Sequence, residues 1–109
     1  MITLDGNSLT LEDLASIADE QEPVALDARA GAAVDAARAV VDRHAARDTP
    51  VYGINTGFGS LSEVKIPRHA LGELQRNLLR SHAAGVGEPL PARAVRAMMA
   101  LRANVLAKG

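Results

Sequence analysis

Val51-Tyr52-Gly53-Ile54-Asn55-Thr56-Gly57-Phe58-Gly59 interrupts the helical reading of this chain with a glycine-punctuated stretch. It holds both aromatic residues of the 109, Tyr52 and Phe58, together with Gly53, Gly57 and Gly59. Glycine permits backbone angles and close approaches that a side chain blocks, so the stretch reads as a site-forming loop rather than a core strand. Thr49-Pro50 stands just ahead of it and stops the preceding helix, because proline disfavours helical geometry in the residue before it. On either side, nearly everything reads as alanine-rich helix. The expected fold class is mainly α, with about four helices, short N-terminal strands and one glycine-rich loop.

Upstream, Ala33, Val34, Ala37, Val41 and Ala45 share one face of a helix over about 28–46, with Asp27 as its N-cap. Before it, Ile2-Thr3-Leu4 alternates and meets the turn signal Asp5-Gly6-Asn7, which predicts a short strand. Thr10 and Asp13 form a capping box for a helix over about 11–20 with a stripe of Leu11, Leu14, Ile17 and Ala18. Pro23 breaks that helix, and Val24-Ala25-Leu26 is extended. Downstream, Leu61–Ile66 has no decisive pattern. Pro67 suits a first helical position, and Leu71, Leu74 and Leu78 define a helix to about Ala84, ended by Gly85 and Gly87. Pro89 and Pro91 restart the chain into a helix over about 91–107, with Val95, Met98, Met99, Val105 and Leu106 apolar. Arg102 falls inside that stripe, either as a snorkelling stem with an exposed head or as half of a buried or inter-subunit ion pair.

At 109 residues the length suits one small domain, residues 1–109. Its hydrophobic fraction is 48%, but alanine supplies much of it and there is no Trp, so the core is weak for its length. A net charge of −1 gives no basic face for nucleic acid. With no Cys there are no disulfides, thiol nucleophiles or cysteine metal sites. The start, Met1 to Leu11, lacks a secretion signal, and no apolar run approaches the ~18 residues of a membrane span. A soluble cytoplasmic protein is the expectation.

Two side chains are candidates for chemistry. A phenol titrates near pH 10 in water, so it serves as a base at neutral pH only where positive charge or donated hydrogen bonds stabilise its anion. Tyr52 is either such a proton carrier or a partly buried tyrosine at a strand end. His82 follows Leu74 and Leu78 along one helical face, close to the helix's C-terminal end. It is either a satisfied core histidine or a hydrogen-bonding group for a polar ligand. His44 and His69 read as surface residues. No HxxxH or HxH pair preorganises a metal site, so no metal is expected.

Three blocks, Val51 to Gly59, Leu74-Gln75-Arg76-Asn77-Leu78-Leu79-Arg80-Ser81-His82-Ala83-Ala84-Gly85-Val86-Gly87 and Leu101-Arg102-Ala103-Asn104-Val105-Leu106-Ala107-Lys108-Gly109, resemble in order and spacing the N-terminal part of the aromatic amino acid ammonia-lyase family, most closely its histidine ammonia-lyases. The resemblance implies elimination of ammonia from an amino acid substrate by a homo-oligomeric, tetrameric helical enzyme. It also implies a methylidene-imidazolone electrophile formed from an internal Ala-Ser-Gly. Tyr52 matches the family's acid/base on the β-carbon proton. Gly53 and Gly57 match loop hinges, and Gly59 and His82 match substrate-binding positions. Ser81-His82 favours histidine, giving urocanate, over tyrosine as the substrate.

No Ala-Ser-Gly occurs in the chain, and full-length members are several times longer. The expectation is therefore a fragment or truncated form, inactive by itself. The alternatives are a tyrosine ammonia-lyase or tyrosine aminomutase fragment, or a non-catalytic helical module that acts by oligomerising.

Overall fold

Ile2–Leu4 (β1) pairs in parallel with Val24–Leu26 (β2), in the register Ile2↔Val24, Thr3↔Ala25 and Leu4↔Leu26. A parallel pair needs a long crossover, and here it is helical. Leu11–Ala15 (α1) runs straight into a π-helical turn, Ser16–Glu20. The computed structural model describes all of residues 1–109, and the remaining helices are Ala28–Ala45 (α2), Leu71–His82 (α3) and Ala92–Leu106 (α4). The fold is mainly α, as the periodicities predict. The chain divides into two compact units, Met1–Arg38 with Glu88–Gly109, and Ala39–Gly87.

In the first unit the local signals act as expected. Thr10 accepts from the Asp13 amide at 3.1 Å while Asp13 accepts from the Thr10 amide at 3.2 Å, a reciprocal box that satisfies two donors at the start of α1. The Asp27 carboxylate accepts from the Arg29 amide at 2.8 Å, and the Asp27 amide donates to the Leu4 carbonyl at 3.0 Å. The strand pair thus leads directly into α2.

α4 packs against the π-helical turn of the same unit. There the Arg96 Nε donates to the Ala18 carbonyl at 2.9 Å, and the Arg93 guanidinium holds both Asp19 oxygens at 2.6 and 3.0 Å.

The core is small. Its buried apolar residues are Leu4, Ile17, Ala18, Ala30, Ala100 and Ala107, four of them alanine. Burying a Leu or Ile stabilises by about 1.5–3 kcal/mol and an alanine by far less, so Leu4 and Ile17 dominate this core.

One expectation changes here. The large apolar residues Val95, Met98, Met99, Val105 and Leu106 do not form the packed face of α4, because all five are exposed. The face turned inward carries Ala100 and Ala107, with Ala94, Ala97 and Asn104 half-buried. Small side chains let α4 approach its neighbours closely, which bulkier ones prevent. Arg102 is likewise exposed, beside the apolar residues Met98, Met99 and Leu106.

Candidate active site

The second unit, Ala39–Gly87, carries every candidate site residue. Past α2 the chain makes a tight turn at Val51–Asn55, in which the Ile54 and Asn55 amides both donate to the Val51 carbonyl, at 3.0 and 3.2 Å. Tyr52 stands on the outside of this turn. Gly53, next to it, has φ +82°, a left-handed conformation in which any Cβ is strained.

The chain then pairs with itself. Thr56 and Lys65 form an antiparallel bridge, flanked by hydrogen bonds from the Gly57 amide to the Val64 carbonyl (2.9 Å) and from the Ile66 amide to the Asn55 carbonyl (2.8 Å). An ion pair between Lys65 and Asp48 ties the same segment to the end of α2. Gly57 is buried, and a Cβ there would meet the Leu61 Cβ at 2.6 Å and its carbonyl at 2.7 Å, so nothing larger fits without movement. Gly59 opens the 3-10 turn Gly59–Leu61.

Tyr52 is 63% exposed, and its ring meets Phe58 edge-to-face with centroids 5.8 Å apart. Such contacts orient a ring at a cost of little exposure. Together with Pro50, Thr56, Ser62 and Glu63, Tyr52 lines an open depression of about 640 Å³. The Tyr52 side chain is therefore open to a ligand.

His82 is the last residue of α3. Leu71, Leu74 and Leu78 are half-buried along that helix, while His82 itself is exposed. Its Nδ1 lies 2.9 Å from the Leu78 carbonyl and 3.0 Å from Ser81 Oγ, and Ser81 Oγ donates to the same carbonyl at 2.8 Å. A carbonyl only accepts, so Nδ1 carries the proton and Nε2 is left for an external partner. In the neutral ring that nitrogen is an acceptor, and in the protonated ring it is a donor. No hydrogen bond or ring contact joins His82 to Tyr52. A link from α3 to the tyrosine turn is the Gln75 side chain, whose Nε2 donates to the Gly53 carbonyl at 3.4 Å.

Sequence reasoning missed Asn55, which is 1% exposed and bonded through its whole carboxamide. An Asn among glycines signals a turn, and only its burial reveals the rest. No three His, Cys, Asp or Glu side chains converge into a metal-binding group.

The sequence pattern of the family described as aromatic amino acid lyase matches residues 9–109. The chain belongs to the aromatic amino acid lyase family. It is 55% identical over 108 residues to histidine ammonia-lyase of Myxococcus xanthus, an alignment that covers 99% of this chain and 21% of that protein. Among solved structures, histidine ammonia-lyase from Trypanosoma cruzi matches with a TM-score of 0.85 and 49% identity, over 99% of this chain and 21% of that one. Tyrosine aminomutase from Streptomyces globisporus matches with a TM-score of 0.91 and 36% identity, over 99% and 20%. This lyase-family chain thus spans about a fifth of the length of the relatives it matches.

The methylidene-imidazolone group that the family implies does not fit these residues. The chain's one Ala-Ser pair, Ala15-Ser16, is followed by Ile17 rather than glycine and lies where α1 passes into the π-helical turn. No serine in the chain is followed by glycine. Whatever residues 1–109 contribute to a lyase, it is not this group. No helix is long and apolar enough to cross a membrane.

Proposed function

We propose that residues 1–109 are one segment of a histidine ammonia-lyase, an enzyme that eliminates ammonia from L-histidine to give urocanate. The observation that carries this reading is Tyr52, the chain's only tyrosine, standing 63% exposed on a glycine turn in a chain 55% identical to a histidine ammonia-lyase. Elimination removes an amine from one carbon and a hydrogen from the next. Tyr52 is the acid/base that moves the hydrogen on the β-carbon.

His82 presents Nε2 to the substrate's imidazole, a polar ring that offers either a donor or an acceptor in return. Gly59 borders the bound substrate, and Gly53 and Gly57 are the positions at which the loop bends to admit it. The electrophile comes from outside these residues, so the 109-residue chain alone is inactive. The working enzyme is a cytoplasmic homo-oligomer, and the exposed apolar residues of α4 supply surface for that assembly. Tyrosine as substrate, in a lyase or an aminomutase, is the second reading, favoured by the TM-score of 0.91 to a tyrosine aminomutase. The higher identity to histidine ammonia-lyases ranks it below histidine.

The test is an assay with histidine, tyrosine and phenylalanine of a full-length lyase that carries these residues. Tyr52→Phe is expected to lower turnover by roughly 10²–10⁴-fold with the fold intact. Undiminished turnover removes Tyr52 from the chemistry. His82→Leu is expected to shift preference away from histidine, and an unchanged ranking of the three substrates removes it from recognition.

A further inference from the structure

The two most deeply buried polar side chains of the protein, Asn55 and Thr56, sit side by side behind Tyr52, each 1% exposed. The Thr56 hydroxyl is satisfied within its own neighbourhood, by the Gly57 carbonyl at 2.9 Å. Asn55 instead spends its whole carboxamide on the backbone leading into Tyr52. Its Oδ1 accepts from the Val51 amide at 2.7 Å, and its Nδ2 donates to the Thr49 and Arg47 carbonyls at 3.0 and 3.4 Å. Its own amide closes the turn a second time on the Val51 carbonyl at 3.2 Å.

The Tyr52 side chain, by contrast, is exposed and has one ring contact, to Phe58. The position of its oxygen therefore depends on the backbone beneath it together with that one ring contact.

We propose that Asn55 is the positioning residue of Tyr52, its carboxamide fixing where the tyrosine turn rests against the end of α2 and hence where the phenol oxygen stands. The proposal rests on the acid–base role of Tyr52. The glycines allow the turn to bend, and Asn55 selects the geometry it keeps. The site requires one acceptor and two donors on a short stem, which among side chains only asparagine offers. An aspartate of the same shape has no donor when ionised and sets a charge against two carbonyl oxygens.

Because the chain has one Tyr and no Trp, tyrosine fluorescence reports Tyr52 alone. The experiment compares the 109-residue chain with Asn55→Asp at pH 7, by time-resolved tyrosine anisotropy, amide hydrogen exchange and far-ultraviolet circular dichroism. In the native chain the Val51 amide should exchange at least roughly tenfold more slowly than an unstructured amide, as a part-buried hydrogen bond to a buried side chain demands. Asn55→Asp keeps an acceptor for the Val51 amide but loses both donors to the Arg47 and Thr49 carbonyls. It should therefore loosen the turn, speed Val51 exchange and enlarge the fast component of the Tyr52 anisotropy decay, with the helical signal retained. An unchanged decay and an unchanged Val51 exchange rate in the folded variant overturn the proposal. Should the variant not fold, the native chain decides: a Val51 amide exchanging at the unstructured rate overturns it, and a protected one supports it. None of these measurements involves catalysis, so a Tyr52→Phe lyase with full turnover would remove the acid–base reading and leave the Asn55 result standing.

Discussion

The unit formed by Met1–Arg38 and Glu88–Gly109 contains every buried apolar side chain of the protein, whereas Ala39–Gly87 buries only Asn55, Thr56 and Gly57. Apolar burial is non-directional. It holds elements together without by itself setting the direction of any one group. Hydrogen bonds in a buried setting are directional and expensive to leave unmade. The difference places adaptable packing in one unit and fixed geometry in the unit that bears Tyr52 and His82. Chemistry that depends on the direction of a single oxygen is better supported by the second kind of scaffold.

Substitutions sharpen this contrast. The largest effect is expected in the apolar unit, where Leu4→Ala removes one of only two large buried aliphatic residues. It should cost about 2–5 kcal/mol, read as a lower urea midpoint. A loss well under 1 kcal/mol would mean that Leu4 is not the centre of that core.

In the polar unit the addition of a single methyl group should suffice. Gly57→Ala sets a Cβ 2.6 Å from Leu61 and should cost about 1–3 kcal/mol in a thermal melt, together with faster exchange of the Gly57-to-Val64 hydrogen bond. A neutral result would show this corner to be soft, and the contrast between the units would fail.

Thr10→Ala deletes the side-chain half of the capping box and should cost about 1 kcal/mol by the same melt. A wild-type melting curve would mean that solvent replaces the cap at no cost.

The smallest effect concerns acid. A hydrogen bond from Arg93 holds the Asp19 carboxyl below its ordinary range; partial burial opposes this, and the charges of Arg93 and Arg96 add to it. A carboxyl whose folded pKa is depressed stabilises the fold above its unfolded value, 3.8, and that stabilisation is lost as pH falls through the folded value. Asp5, Asp27 and Asp48 are shifted in the same direction, so Asp19 carries one share of the acid limb. Arg93→Gln should flatten that limb slightly below about pH 4 and leave neutral stability nearly unchanged, because exposed pairs contribute little. A marked loss at pH 7 would assign the pair a larger role than its exposure allows.

The elements with local signals were legible in the sequence. Thr10 and Asp13 mark the start of α1, Asp27 the start of α2, and Pro91 the residue before α4. Three features left no local trace. A five-residue π-helical turn at Ser16–Glu20 has the composition of any helix end. The pairing of two three-residue strands depends on the whole crossover between them. The inward face of α4 is camouflaged, because Ala100 and Ala107 serve equally as helix formers and as core, while the larger Met and Leu side chains draw the eye outward. In the candidate site the glycines and Tyr52 stand out by type. Asn55 does not, because a turn-forming asparagine and a buried one have the same letter, and only the carbonyls of Arg47 and Thr49 around it tell them apart.

Met98 and Met99, 58% and 67% exposed on α4, have a chemical consequence of their own. Thioethers in open contact with water are oxidised by mild peroxide to sulfoxides, which replace an apolar end with a polar, hydrogen-bonding one. Any protein surface laid over α4 would shield both sulfurs, so the mass gained by the peptide around them records whether that helix is covered, without a label being added to the chain.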